Sequence, residues 1–280
     1  MKWKQVPIPA NTEDVLRRHE ANKQAWNEGA AYYTQNLEQS LEGLRDGKSG
    51  IHPVERENLR SFGGLEKWCR RAVHLQCASG YDSLSLLLEG AHEVVGVDIS
   101  DVHIENARWL TRQLNAEASW YCCDVLEVPV ELDGTADLVY TGRGAVTWIQ
   151  DLGPWAKVIA RLMKSGGVFS FLDDHPFIWL ISQEDQDLMY SGADYFGHAE
   201  ESLGWSEAYI GSLGRCVDEQ AAKYERLWTV SQLVQSLIDA GLHIRSLGEH
   251  REEYWDGFPK LNAEVKKKIP MTLSITAVKQ

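Results

Sequence analysis

The segment of residues 72–100, AVHLQCASGYDSLSLLLEGAHEVVGVDIS, constrains the fold more than any other part of the chain. An apolar run at Ala72–Leu75 breaks at a turn containing Gly80, a helical stretch follows, and a second apolar run ends on Asp98. In open α/β sheets, ligands bind beyond the carboxyl ends of the strands at such turns. An acidic residue about 20 positions further on is placed to accept the hydroxyls of a ribose. The segment therefore predicts the floor of a nucleotide-type pocket.

The turn itself has fewer glycines than a dinucleotide site needs. Where a dinucleotide fingerprint has three glycines, this chain has Gln76, Ala78 and Gly80. Glycines allow the backbone to approach a pyrophosphate closely, and the side chain of Gln76 would crowd that group. The turn therefore favours a ligand without phosphates, such as an adenosine joined to an uncharged or cationic group.

Strand and helix patterns alternate from Arg71 onward, which is typical of a parallel sheet with helices on both faces. A helix is predicted later at 229–240, a strand near 242–248 and a terminal strand at 271–278. Because only a loop precedes the terminal strand, it can pair antiparallel with its predecessor. We therefore expect an α/β fold with a Rossmann-like, mixed seven-stranded sheet. The earlier elements are predicted strands at 72–76, 93–97, 118–122, 136–140 and 167–172 and predicted helices at 81–89, 101–115 and 152–164.

Two segments flank or interrupt this core. Apolar residues recur at helical spacing over residues 12–42, which predicts an N-terminal helical cap, and Val54–Cys69 predicts a further helix interrupted by two glycines. Residues 177–225 are aromatic, acidic and rich in glycine, and they break the alternation as an inserted lid would. The expected organisation is a cap at 1–70, a cofactor-binding core at 71–176, a substrate lid at 177–226 and the last helix and strands at 227–280.

Composition narrows the classes of partner. The formal net charge of −13 argues against nucleic acid, because binding to a phosphate backbone relies on clustered Lys and Arg. No apolar run approaches the roughly 18 residues of a membrane span, and the first residues lack the apolar core of a signal peptide. We expect a cytoplasmic protein with reduced cysteines. No CxxC or HxxxH pair is present, so no metal site is predicted.

With these elements placed, the chain resembles the class I S-adenosylmethionine-dependent methyltransferases. The resemblance rests on HLQCASG, YDSLSLLLEGA and VVGVDIS, and it covers residues 70–175 in motif detail. More narrowly, the first turn is similar to a small-molecule subgroup in which it reads L-x-C-x-x-G-x-D. The resemblance implies a sheet whose last strand is antiparallel, S-adenosyl-L-methionine as cofactor and S-adenosyl-L-homocysteine as product.

The resemblance also implies roles for individual residues. The turn after the first strand would pass under the methionine part of the cofactor, Asp98 would hold the ribose hydroxyls, and Asp124 would meet the adenine amino group. Asp98 as a simple strand-end cap and Asp124 as an ordinary loop acid are the alternatives. The residues assigned to the cofactor in this way are Trp26, Tyr33, Gln76, Cys77, Ala78, Gly80, Asp98, Ile99, Ser100, Asp124, Val125, Thr141 and Gly142.

Candidates for catalysis and for binding of the acceptor are fewer. His175, in FLDDHPF, follows the fifth predicted strand and is a candidate general base, because imidazole titrates near neutrality. Alternatively, it precedes a helix that begins with Pro176. Tyr33 is a second candidate, either covering the sulfonium or hydrogen bonding to the nucleophile. Arg143 is placed equally well to bind an anionic group of the substrate or to form a surface ion pair.

Aromatic side chains of the lid suggest an organic, partly aromatic acceptor. Tyr195 and Trp205 are the candidates, although such residues are equally consistent with a contact in a homodimer. We therefore predict an enzyme that transfers a methyl group to N, O or C of a small organic acceptor by in-line displacement. The alternatives are a nicotinamide-dependent oxidoreductase and a non-catalytic cofactor-binding relative.

Overall fold

The computed structural model describes residues 2–280. Its strands are β1 (Lys2–Gln5), β2 (Arg71–Leu75), β3 (Glu93–Asp98), β4 (Ala118–Cys122), β5 (Ala136–Gly142), β6 (Met163–Asp174), β7 (Ala199–Leu203), β8 (Ala222–Arg226), β9 (Leu242–His250) and β10 (Thr272–Lys279). Its α-helices are α1 (Thr12–Gln35), α2 (Leu37–Arg45), α3 (Pro53–Arg60), α4 (Leu65–Trp68), α5 (Tyr81–Leu88), α6 (Asp101–Leu114), α7 (Leu152–Leu162), α8 (Glu207–Ile210), α9 (Val230–Asp239) and α10 (Ala263–Lys266).

The main sheet has seven strands in the order β4-β3-β2-β5-β6-β10-β9. Strands β2 to β6 pair in parallel, whereas β10 lies between β6 and β9 and is antiparallel to both. Ile275 of β10 is opposite Phe171 on one side and Leu247 on the other. The predicted mixed sheet with an antiparallel last strand is confirmed.

Both faces of the sheet are covered, which explains the continuous apolar runs of its strands. Val73 and Leu75 of β2 belong to the apolar cluster that includes Trp155 of α7 and Leu233 of α9. Ala72, which precedes Val73, belongs to a cluster on the other face that includes residues of α3, α4 and α5. Successive side chains of a strand point to opposite faces, so this one short strand anchors helices on both.

The N-terminal helical prediction is correct in type, but the segment divides in two. α1 begins after Asn11, whose side chain accepts a hydrogen bond from the backbone N–H of Asp14 at 2.9 Å. It ends at Asn36, from which α2 continues. The helix predicted at 54–69 likewise appears as α3 and α4, separated around Gly63, which has a φ of +99°. A positive φ suits glycine and does not occur within a right-handed helix.

The inserted segment supplies two strands of a small sheet that was not predicted from the sequence. β1, β7 and β8 form a three-stranded antiparallel sheet in the order β1-β7-β8. Lys4 of β1 pairs with Glu201 of β7, and their side chains form an ion pair at 3.1 Å. A four-residue strand has little pattern of its own, and β1 exists because of a partner far along the chain.

Candidate functional site

A cavity opens at the carboxyl ends of β2, β3, β4 and β5 and is lined by residues that follow these strands. The volume inside it that a ligand can reach is about 100 Å³. Helix α1 adds His19, Asn22 and Trp26 to its wall. We refer to it as the first cavity.

Asp98, the last residue of β3, lines the first cavity and is buried. Its Oδ2 accepts a hydrogen bond from the backbone N–H of Ala78 at 2.8 Å, and its Oδ1 accepts one from that of Ser100 at 2.9 Å. Burial raises the pKa of this carboxyl to about 6 in spite of these bonds. Each oxygen retains acceptor capacity, so the carboxylate can still accept two hydroxyl donors.

The turn after β2 holds side chains in backbone conformations that favour glycine. Gln76 and Ala78 have φ values of +57° and +45°, which cost a residue with a Cβ about 1–2 kcal/mol each. Gly80 has a φ of +80°, and a Cβ added there would lie 2.6 Å from the ring of Trp120. The turn therefore keeps a left-handed backbone path at all three positions although only one of them is glycine.

Gln76 links this turn to the loop after β5 and leaves one atom without a partner. Its Nε2 donates a hydrogen bond to the carbonyl of Ala145 at 2.6 Å. Its Oε1 is buried and has no hydrogen-bond partner among the described residues. An unpaired buried carbonyl is costly, and this side chain lines the first cavity, so Oε1 is an acceptor for a donor on a ligand.

His19 connects α1 to the loop after β4. Its Nε2 accepts from the backbone N–H of Gln150 at 3.2 Å, so the neutral ring carries its proton on Nδ1 and donates it to Asp124 Oδ2 at 2.7 Å. Asp124 Oδ1 accepts from the backbone N–H of Leu126 at 2.9 Å. These bonds orient Asp124 in the wall of the first cavity, where His19 itself also lies.

His103 of α6 offers a donor to the first cavity. Ser79 Oγ accepts from Asn106 Nδ2 at 3.2 Å and lies 2.8 Å from His103 Nδ1; when the hydroxyl donates to Nδ1, the ring proton resides on Nε2. That Nε2 is buried without a hydrogen-bond partner among the described residues. Burial lowers the pKa of His103 to about 3, which keeps the ring neutral.

A second, larger cavity adjoins the first and has a volume of about 550 Å³. Gly144 and Trp148 line both cavities. Aromatic rings continue from the first cavity into the second: Trp26 lies 4.5 Å from Trp205 between ring centroids, and Trp148 lies 5.8 Å from it. Tyr209 extends the series. Two ligands, one bound in each cavity, would come together beside Gly144 and Trp148, which form the shared wall of the two cavities.

Two carboxylates end β6 beside the shared wall and have different surroundings. Asp173 accepts hydrogen bonds from the backbone N–H groups of Gly144 at 2.7 Å and of Ala145 and Val146 at 3.1 Å, so it organises the loop after β5. Asp174 is partly exposed in the second cavity and contacts Tyr254 and Trp255. Burial and the neighbouring carboxylate raise its pKa to about 7.

The structure brings most of the residues predicted for the cofactor to the first cavity. Tyr33, Cys77, Gly80, Ser100 and Thr141 are not part of its lining; Tyr33 instead packs edge-on against His103 at 5.0 Å. The predicted residues that line it are Trp26, Gln76, Ala78, Asp98, Ile99, Asp124, Val125, Gly142 and Arg143. Of the two candidates in the lid, Trp205 lines the second cavity and Tyr195 lines neither.

His175 lies outside both cavities. Its Nε2 is 2.9 Å from Glu249 Oε1, and its Nδ1 accepts from the backbone N–H of Phe177 at 3.1 Å. With both ring nitrogens occupied, this histidine caps the short helical turn Pro176–Leu180. This placement matches the alternative interpretation from the sequence, and we do not assign His175 the role of general base.

Arg143 is held by protein groups. Its guanidinium forms an ion pair with Asp82 at 2.5 Å, lies 3.8 Å from Glu55 and donates to the carbonyl of Gly50 at 2.8 Å. Glu55 in turn accepts a hydrogen bond from Tyr140 at 2.5 Å. The side chain therefore ties the loop after β5 to the N-terminal helices, and we do not assign it to a substrate anion.

The sequence analysis missed several residues of the first cavity. His19 and Asn22 lie on α1, and His103 lies in the first turn of α6. Ala145 and Trp148 lie in the loop after β5. The helical spacing of Asn22 and Trp26 was an available signal, because residues four apart share a face of a helix. A lone histidine has no such signal.

Comparison with known proteins finds a domain match within the chain and structures that share its fold. Residues 72–167 match the model of a methyltransferase domain. An S-adenosylmethionine-dependent methyltransferase from Mesorhizobium loti is similar over 85% of this chain and 100% of that chain, at 22% identity and a TM-score of 0.54. An S-adenosylmethionine-dependent methyltransferase from Clostridium acetobutylicum is similar over 82% of this chain and 92% of that chain, at 14% identity and a TM-score of 0.55. No curated protein matches the sequence.

A third structure is a geranyl diphosphate C-methyltransferase from Streptomyces coelicolor, in complex with Mg²⁺, geranyl diphosphate and S-adenosyl-L-homocysteine. It is similar over 81% of this chain and 77% of that chain, at 12% identity and a TM-score of 0.54. The domain match at residues 72–167 and the shared fold are consistent with a class I S-adenosylmethionine-dependent methyltransferase.

The first cavity fits this cofactor by its own chemistry. Asp98 can accept two hydroxyl donors, Gln76 Oε1 can accept from an ammonium, and His103 Nε2 can donate to an oxygen or nitrogen. Among residues 2–280 there is no group of three or more His, Cys, Asp and Glu arranged to hold a metal ion. Within the same range, no helix is both long and apolar enough to cross a bilayer.

Proposed function

We propose that the enzyme transfers the methyl group of S-adenosyl-L-methionine to a small organic acceptor bound in the second cavity. The observation that carries this proposal is that two cavities of different character meet at Gly144 and Trp148. The first has the polar groups of a nucleoside site, whereas the second is larger and walled by aromatic rings. Location in the cytoplasm and assembly into a homo-oligomer stay predictions from the sequence.

Within the first cavity we assign roles by the chemistry of each group. Asp98 accepts the ribose hydroxyls, Gln76 Oε1 accepts from the ammonium of the methionine part, and Asp124 with His19 forms the wall for the adenine. Trp26 presents an aromatic ring toward the shared wall, and aromatic faces attract a sulfonium as they attract other cations. These groups fix one orientation of the cofactor.

The bound cofactor supplies a methyl group activated by a positively charged sulfur. The protein then has to align an incoming nucleophile with the bond that breaks. Positioning of two reactants can lower a barrier by roughly 7–11 kcal/mol. Gly144 and Trp148 line both cavities. The loop after β5 therefore sets the alignment of the two ligands.

Calorimetry with S-adenosyl-L-methionine, S-adenosyl-L-homocysteine, NADH and NADPH tests the first half of the proposal. We expect the first two ligands to bind and the nicotinamides not to bind. Asp98→Ala should weaken binding by about 100-fold or more, because buried acceptors of paired hydroxyls are lost. Glu93→Gln, at the opposite end of β3, is the matched control and should bind as the unmodified protein does. Absence of binding of both adenosyl ligands at millimolar concentration would refute the proposal.

Incubation with methyl-labelled S-adenosyl-L-methionine and a small-molecule extract tests the second half. Mass spectrometry should detect a labelled product that requires both the protein and Asp98. Cofactor binding without any labelled product would support the non-catalytic alternative instead.

A further inference from the structure

The second cavity indicates the class of acceptor. We infer that the acceptor is an arylalkyl amine, whose ammonium group binds against Asp174 and Tyr254 and whose apolar body lies between Trp148, Trp205 and Trp255. This inference rests on the proposed function, since it concerns the acceptor of the same reaction. Four independent features of the cavity support it.

The first feature is the charge of the lining. Among the described residues, carboxylates outnumber cationic side chains there: the carboxylates are Asp173, Asp174, Glu184, Asp185, Glu200 and Glu225, and the cations are Lys223 and Arg226. Burial, with a smaller contribution from Glu200, raises the pKa of Glu225 to about 7. An anionic acceptor would add to this negative charge, whereas a cationic one would reduce it.

The second feature is that both cations are engaged by the protein. Lys223 Nζ donates to the carbonyl of Gly204 at 2.5 Å and lies 4.7 Å from the ring centre of Trp205. The guanidinium of Arg226 lies 3.6 Å from the ring centre of Trp228 and donates to the carbonyl of Gln150 at 2.9 Å. Both cations therefore already have partners within the protein.

The third feature is an unused acceptor. His198 is 2% exposed and lines the second cavity. Its Nε2 lies 3.0 Å from Glu200 Oε2, so a ring proton points to the carboxylate; in the neutral ring, Nδ1 is then an acceptor. This Nδ1 is buried and has no hydrogen-bond partner among the described residues. A ligand that donates hydrogen bonds suits such a lining.

The fourth feature is the position of Asp174 relative to the shared wall. A Cβ built on Gly144 would lie 3.7 Å from the hydroxyl of Tyr254, and Tyr254 contacts Asp174. Gly144 lines both cavities. Trp255 and Tyr209, whose ring centroids are 5.3 Å apart, stand beside this pair. The carboxylate and its aromatic neighbours therefore lie where the acceptor atom must meet the methyl group, and aromatic faces bind ammonium groups.

The step balances with these groups alone. The ammonium of the acceptor gives one proton to the carboxylate of Asp174, which frees the nitrogen lone pair. That pair forms the new N–CH₃ bond while the S–CH₃ bond breaks, and the bonding electrons remain on sulfur. The methylated product is again an ammonium ion, and the protonated Asp174 releases its proton to solvent after the product leaves.

Three probes of the same shape and different charge test the inference by calorimetry on protein saturated with S-adenosyl-L-homocysteine. They are phenethylamine, phenethyl alcohol and hydrocinnamate, which are cationic, neutral and anionic at neutral pH. The amine should bind at least about tenfold more tightly than either of the others, as a cation between aromatic rings and carboxylates would. Equal or tighter binding of the alcohol or the acid, or no binding of any probe at millimolar concentration, would overturn it.

Two variants connect that preference to the proposed residues. Asp174→Asn should abolish the preference for the amine, and Tyr254→Phe should reduce it. Asp256→Asn changes an exposed carboxylate of the same loop, paired with Lys266, and should keep it. Preserved preference in Asp174→Asn would contradict the assignment, provided that circular dichroism and S-adenosyl-L-homocysteine affinity show the variant folded.

Methyl transfer to phenethylamine supplies the catalytic readout. Release of S-adenosyl-L-homocysteine should depend on the amine and fall by about 100-fold in Asp174→Asn, the range for loss of a positioned proton acceptor, with unchanged cofactor affinity. If the adenosyl ligands bind but the amine does not, only this inference fails. If they do not bind at all, the proposed function fails first.

Discussion

The backbone N–H of Ala78 donates a hydrogen bond to Asp98 Oδ2 across 2.8 Å, which joins the turn after β2 to the end of β3. Ala78 has a left-handed backbone conformation and the Asp98 carboxylate is buried. The position of this carboxylate therefore depends on the conformation of the turn. This contact shapes the floor of the first cavity.

Binding of the cofactor should depend on pH through Asp98. Its pKa of about 6 in the unliganded protein means that the carboxylate gains a proton as the pH falls below 6, and a protonated oxygen accepts ribose hydroxyls poorly. We expect S-adenosyl-L-homocysteine to bind about tenfold more weakly at pH 5 than at pH 7. Calorimetry at both values measures this. In Asp98→Asn the affinity should be low and independent of pH, and a persisting slope would exclude Asp98 as its source.

Relief of backbone strain should stabilise the turn. Ala78→Gly removes a Cβ from a residue with a φ of +45°, and we expect the free energy of unfolding to rise by about 0.5–1 kcal/mol. Ala156→Gly, within α7, is the opposite control and should lower it by about 1 kcal/mol or more. Urea denaturation of the two variants distinguishes the cases, and destabilisation by Ala78→Gly would show that its methyl group contributes more than its strain costs.

Substitutions at Gly80 and Gly134 distinguish the cost of steric overlap from the cost of backbone strain. Both have positive φ values, +80° and +62°, but a Cβ at Gly134 meets nothing within 4 Å whereas one at Gly80 lies 2.6 Å from the ring of Trp120 and 2.8 Å from Ala107 Cβ. We expect Gly134→Ala to cost about 1 kcal/mol from strain and Gly80→Ala to cost about 2–4 kcal/mol, because overpacking adds to the strain. Thermal and urea unfolding measure both; similar losses would argue against tight packing under Trp120.

His103 should stay neutral and keep its proton on Nε2. With a pKa of about 3, its ring should show no titration by NMR between about pH 5 and about pH 8, where an exposed histidine changes charge. Its Nε2 should report a bound hydrogen in nitrogen-15 spectra. His103→Phe should weaken S-adenosyl-L-homocysteine binding by about tenfold, since one buried hydrogen bond is lost, whereas His92→Phe should not. Titration of His103 near pH 6 would contradict the assigned tautomer and burial.

The rate of methyl transfer to an amine should rise with pH through about 7. Asp174 accepts a proton only as a carboxylate, and its pKa is raised to about 7 by burial and by Asp173, against hydrogen bonds from Tyr254 and Trp255; Glu253 adds a further negative charge nearby. The profile of kcat for phenethylamine measures this. Asp174→Asn should lose the rise and retain a low, flat rate; an unchanged profile would assign the titration to another group.

The strands of the sheet and the turn at the floor of the first cavity were predictable because their signals are local. Apolar runs in strands buried on both faces, a turn with Gly80 and a strand that ends on Asp98 all lie within short stretches of chain. β1 was not predictable, since it forms only against β7. The tautomers of His19 and His103 were not predictable either, because each depends on groups from other elements.

The residues at the end of β6 show what could not be predicted from the sequence. The sequence by itself determined that FLDDHPF would end a central strand, and it placed adjacent titratable groups there. Only the tertiary structure decided which of these groups is available to a ligand in the second cavity. Asp173 is enclosed by backbone amides of the loop after β5, His175 is held by Glu249 of β9, and Asp174 between them enters the second cavity. Neighbouring side chains diverge along an extended chain, and their partners come from strands and loops that only folding brings together.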